Sequence, residues 1–120
     1  MKYIDKNYQY TGSSGTITLT SWAGEGHSDT SYSIVLQSAV LGSSKPSGLT
    51  IGQADNCRGK VLAVAITVAL TNTSTGHASV SSRLSSGGSE QTFVSNYTLS
   101  DSERNGGLDM ISFTQYITIA

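Results

Sequence analysis

The stretch Gly59–Leu70, GKVLAVAITVAL, is the longest uninterrupted apolar run in the chain, and its alternation decides the architecture. Its even positions, Leu62, Val64, Ile66, Val68 and Leu70, are all large, whereas Val61, Ala63, Ala65, Thr67 and Ala69 are smaller. A period of two with β-branched enrichment predicts a central strand that packs one face on a core and presents a smoother second face.

The same pattern continues on both sides of this run. Ser31–Ser38 sets Tyr32, Ile34 and Leu36 against Ser33, Val35 and Gln37, and Gly48–Gln53 sets Leu49 and Ile51 against Thr50. Downstream, His77–Leu84 opposes Ala78, Val80 and Leu84 to His77, Ser79, Ser81 and Arg83, and Gln91–Leu99 carries Phe93, Tyr97 and Leu99 on its apolar side. Turn-forming residues at Gly42–Pro46, Ala54–Gly59 and Asn72–Gly76 separate these strands, and SSGGSE at Ser85–Glu90 predicts a flexible loop. Tyr8–Thr11 and Thr16–Trp22 flank Gly12–Gly15, which predicts an N-terminal hairpin. Ser100-Asp101-Ser102-Glu103 has the form of a capping box, so a helix should begin there, with Gly106-Gly107 interrupting it. Leu108–Ala120 is open between two readings. Leu108, Ile111, Tyr116 and Ile119 fall on one helical stripe, yet ISFTQYITI alternates like a strand; a helical start is the preferred reading. The expected fold is a single mainly β (α+β) domain over 1–120, with a hairpin at 1–23, a five-stranded antiparallel meander at 31–99 and a short helical tail at 100–120.

At 120 residues the chain can bury one core, and with only 12% charged residues and a net charge of −1 it has no global attraction for polyanions. Any nucleic-acid contact must come from a local patch. The N-terminal MKYIDKNYQY contains no apolar signal region and no run reaches membrane-spanning length, so the expectation is a cytosolic chain without a membrane partner. Cys57 is the sole cysteine, which excludes an internal disulfide and points to a buried or idle thiol.

Catalytic chemistry has little to build on. His27 and His77 lie in or beside loops with no cysteine or carboxylate at a telling spacing, and the carboxylates are scattered through turns. GSSG and SSGGS lack the lysine and strand-to-helix context of a phosphate loop. The expectation is therefore no enzyme activity, no metal and no cofactor. What remains is a surface. Thr50, Thr67, Ser79, Ser81, Arg83, Thr92 and Asn96 all fall opposite the large apolar residues, with Arg58 and Lys60 at the border. Such a face can hydrogen-bond phosphates and base edges, or it can be simply solvated.

The order of elements resembles the coat proteins of single-stranded RNA bacteriophages, the levivirus family. YSIVLQSAV followed by GLTIGQADNCRGKVLAVAITVALTN is similar to that family's strand, short strand, basic turn and long central strand, and FVSNYTLSDSER to its last strand running into a helix. The resemblance covers Thr16 to about Arg104. It implies an intertwined homodimer, an icosahedral shell assembled in the bacterial host cytoplasm, and a virion in which Thr50, Arg58, Lys60, Thr67, Ser79, Ser81, Arg83, Thr92 and Asn96 face packaged single-stranded RNA. Ala63 and Ala65, where the family often has polar or basic groups, imply non-specific RNA contact, and the tail after Ser100 is short for the family's paired helices. The alternative is a jelly-roll or β-sandwich binding module, a phage decoration protein or lectin-like domain, with Trp22 and tyrosines lining a sugar site.

Overall fold

A computed structural model of the chain describes residues 1–12 and 14–120. Ser13, in the turn expected at Gly12–Gly15, lies outside the described residues. The chain is mainly β, as expected, but it forms two stacked sheets and not one. In order the strands are β1 (Lys2–Tyr10), β2 (Thr16–Ala23), β3 (Ser28–Leu36), β4 (Ala39–Gly42), β5 (Ser47–Gln53), β6 (Val61–Ala69), β7 (His77–Ser86), β8 (Ser89–Thr98) and β9 (Met110–Ile119). Two short helices, α1 (Ala54–Cys57) and α2 (Asp101–Asn105), complete it. The first sheet runs β1-β9-β6-β3-β4 and the second β5-β2-β7-β8.

The Gly59–Leu70 stretch supplies β6, the middle strand of the five-stranded sheet. Leu62, Val64, Ile66 and Val68 are fully buried, and the small odd residues form the partly covered outer face. Tyr32, Ile34 and Leu36 of β3 and Ile111, Phe113, Ile117 and Ile119 of β9 line the same inner face. Ile17 and Leu19 of β2, Ala78, Val80 and Leu84 of β7, Phe93 of β8 and Ile51 of β5 meet them from the second sheet. Burial of each large aliphatic side chain contributes about 1.5–3 kcal/mol, and a one-residue slip would turn a whole strand inside out, so the alternation fixes register as well as stability.

Three expectations are corrected. The segment 100–120 is not a helical tail: α2 ends after five residues and β9 then inserts between β1 and β6. Strict alternation in ISFTQYITI, with every odd position from Ile111 to Ile119 buried, overrides the weaker helical stripe. The N-terminal segment 1–23 is not a hairpin, because β1 and β2 belong to different sheets. β1 pairs in parallel with β9 from Lys2↔Ile111 to Tyr10↔Ile119, which makes that sheet mixed. The five-stranded meander over 31–99 is likewise divided between the two sheets, with β4 as a strand added by a tight turn after β3.

Ser85–Glu90 also differs from a flexible loop. It closes the β7–β8 hairpin, with Gly87 at φ 52° and Gly88 at φ 81°, both in the left-handed region that a two-residue primed turn demands. A Cβ on Gly87 would also lie 2.6 Å from the Ser14 carbonyl oxygen, so the position is closed to side chains on two grounds. The capping box forms as expected. The Ser100 hydroxyl accepts from the Glu103 amide at 3.2 Å, and the Glu103 carboxylate accepts from the Ser100 amide at 2.9 Å.

Candidate functional site

Six of the nine residues expected on a ligand-binding face lie on one surface, the outer face of the β5-β2-β7-β8 sheet. Because Ala78, Val80 and Leu84 of β7 point into the core, Ser79, Ser81 and Arg83 point out. Register then puts Asn96 beside Ser79 and Thr92 beside Arg83, while Thr50 of β5 stands opposite Thr18 of β2. The other three belong elsewhere. Thr67 is on the outer face of the five-stranded sheet, between Ser31 and Ser112, and Lys60 is exposed at the entrance to that sheet's β6. Arg58 acts as a clamp: its guanidinium donates to the Asp55 carboxylate at 3.1 Å, the Gly12 carbonyl at 3.3 Å and the Ala120 carbonyl at 3.2 Å.

The face is organised by a residue outside that set, Trp22. Thr18, Thr20 and Trp22 of β2 point outward because Ile17, Leu19 and Ser21 point in. Ser21 is satisfied there by the Ser82 hydroxyl at 2.8 Å. Trp22 stands directly opposite Ser81, a side chain small enough to leave an indole room, and the Arg83 guanidinium carbon lies 5.6 Å from the ring centroid. That distance is within cation–π range. Arg83 also meets Glu90 at 3.8 Å, whose carboxylate accepts from the Ser85 hydroxyl at 3.4 Å. The outcome is a chain of contacts: indole, guanidinium, carboxylate, hydroxyl.

Trp22 keeps part of its surface open, with the exposed Thr92, Val94 and Asn96 across the sheet on β8. Ser79 and Ser81, by contrast, are only 9% and 8% exposed despite facing outward. Ser79 is packed on Gly24, where a Cβ would come within 2.3 Å of its hydroxyl. The two serines therefore shape the platform, and the side chains accessible on it are Trp22, Arg83, Thr92, Asn96, Thr20 and Thr50. The signal for Thr18, Thr20 and Trp22 was present in TITLTSW, whose period of two assigns them to one side.

Neither histidine is positioned for acid–base work on this face. His27 accepts from the Asn72 amide at Nδ1, 3.1 Å away, and its Nε2 therefore carries the proton donated to the His77 carbonyl at 2.9 Å. The His77 ring is bonded to the Thr98 hydroxyl at 3.1 Å. Among the described residues no three His, Cys, Asp or Glu side chains converge as a metal site, and Cys57 is free and buried. Among the described residues no helix is long and apolar enough to cross a membrane. The chain matches no protein-family model, and comparison with curated proteins and with solved structures gives no match either.

Proposed function

We propose that the chain is a β-sandwich binding module that takes a glycan on the outer face of the β5-β2-β7-β8 sheet. The observation that carries this reading is a part-open indole, Trp22, among hydroxyls and an amide on one sheet face, with the Arg83 guanidinium carbon 5.6 Å from its ring centroid. A sugar ring has an apolar C–H face and an equatorial fringe of hydroxyls. An aromatic plate takes the first, and short neutral donors and acceptors take the second. Arg83 has charge to spare for an acidic sugar, since Glu90 meets it only at 3.8 Å in an exposed pair.

A glycan array followed by titration of the best ligand tests this reading. Trp22→Ala should weaken binding by roughly tenfold or more, about 1.4 kcal/mol, with unchanged near-native unfolding, since the side chain lies outside the core. Absence of any glycan binding, or equal binding by Trp22→Ala, refutes it.

A second reading has one observation in its favour. Thr50, Ser79, Ser81, Arg83, Thr92 and Asn96 do share a face, as a self-assembling coat protein that packs single-stranded RNA against a sheet would require. In that reading the chain is an intertwined homodimer in a virion, assembled in the bacterial host cytoplasm. It ranks second because a polyanion needs several cations and Arg83 is the only one among the six. Large particles with RNA absorbance, on size-exclusion of the expressed protein, would reverse the ranking.

A further inference from the structure

Away from the sheet face, a cleft of about 270 Å³ opens at one end of the sandwich, between the Asn72–Thr75 turn and the segment around α2. Leu70, Leu99 and Leu108 form its apolar side, Thr73 and Thr75 bring hydroxyls to it, and Arg104 is the only charged side chain in its lining.

Arg104 stands apart from the other two arginines. Arg58 has Asp55 and Arg83 has Glu90, whereas the Arg104 guanidinium has no carboxylate or hydrogen-bond partner among the described residues. It lies against Gly76, where a Cβ would fall 2.9 Å from Nη1. Gly76 does not have a positive φ. The opposite wall is held by hydrogen bonds. The His27 ring is held at both nitrogens, and the Asn72 side chain donates to the Glu25 carbonyl at 2.9 Å while accepting from the Ser74 hydroxyl at 2.6 Å. A cleft held in this way loses little freedom when a ligand enters.

We propose that this cleft binds a small amphipathic carboxylate, its carboxylate on the Arg104 guanidinium and its apolar body against Leu70, Leu99 and Leu108. A guanidinium fork matches a planar carboxylate through two parallel hydrogen bonds. A single cation balances a monoanion but leaves a phosphate dianion half neutralised beside three leucines. A cleft of about 270 Å³ has room for acids of the size of hexanoate or benzoate.

The test is titration of the ¹⁵N-labelled full chain with hexanoate, benzoate and, as the uncharged control, hexanamide. Saturable shifts confined to the amides around Thr73, Gly76 and Arg104, with millimolar or tighter affinity, are expected for the acids and not for the amide. Arg104→Gln, on an exposed helix turn, should weaken hexanoate at least tenfold. Gly76→Ala, which crowds the guanidinium while leaving it present, should also weaken binding. Equal binding of hexanoate and hexanamide, no saturable shift up to tens of millimolar acid, or an Arg104→Gln variant that binds like the parent would each overturn the proposal.

Discussion

Gln115 makes a demanding polar contact between the two layers. It occupies a core-facing position of β9, fully buried, where the pattern of the strand calls for an aliphatic side chain. Its amide nitrogen donates across the sandwich to the Phe93 carbonyl at 3.2 Å and the Ser95 hydroxyl at 3.1 Å, whereas its oxygen has no partner among the described residues. Turning the amide over would set oxygen against the Phe93 carbonyl, so this position requires a donor. Gln115→Glu should therefore destabilise the fold by about 3–5 kcal/mol at neutral pH, the cost of an uncompensated buried charge. The deficit should vanish in acid, where the protonated carboxyl can donate to Phe93. Burial raises the folded-state pKa of such a carboxyl above the unfolded value of about 4.3. The native state then holds the extra proton, and stability falls as pH rises from about 4.3 to the raised value and is flat beyond it. Urea midpoints of the variant and parent from acid to neutral pH check this, and parallel curves would contradict it.

At the scale of elements, α2 is held by a carboxylate that works in three directions. Glu103 accepts from the Ser100 amide and from the Tyr97 hydroxyl on β8, and it pairs with Lys2 on β1 at 3.3 Å, so one side chain ties the helix to the edge strands of both sheets. The Ser100 amide first, and then the Tyr97 hydroxyl, hold its carboxyl down to about 2. A folded-state value below the unfolded one means that the native state binds fewer protons. The stabilisation is complete above the unfolded value of about 4.3 and is lost as pH falls from there towards about 2. Glu103→Gln keeps an oxygen for the Ser100 amide but cannot titrate. It should leave the helix in place at neutral pH and flatten this part of the acid limb, as amide exchange of α2 and urea midpoints below pH ~4.3 would show. An acid limb identical to that of the parent would show that the contact does not contribute.

Taken as a whole, the molecule was legible where partners are near in sequence and opaque where they are far. β6, the strands β7 and β8 and the Ser100 cap follow from local alternation and side-chain chemistry, and the same alternation placed Ser79, Ser81, Arg83, Thr92 and Asn96 on one face. Local pattern could not show that Trp22 stands opposite Ser81, because that depends on the register of β2 against β7. Nor could it show β1 beside β9, a parallel pair joining the two ends of the chain. That pair gives the sharpest whole-molecule prediction. An outer tail could be removed with the core intact, but β9 hydrogen-bonds to β1 on one side and β6 on the other. It also brings Ile111, Phe113, Ile117 and Ile119 to full burial. At about 1.5–3 kcal/mol each, these four side chains contribute roughly as much as the whole net stability of a domain, about 5–15 kcal/mol. Their loss would leave β1 unpaired and the inner face of β6 open to water. A chain ending at Gly107 should therefore show no cooperative thermal transition and should bind a hydrophobic dye. A truncated chain that melted cooperatively near the parent's temperature would contradict the central position of β9.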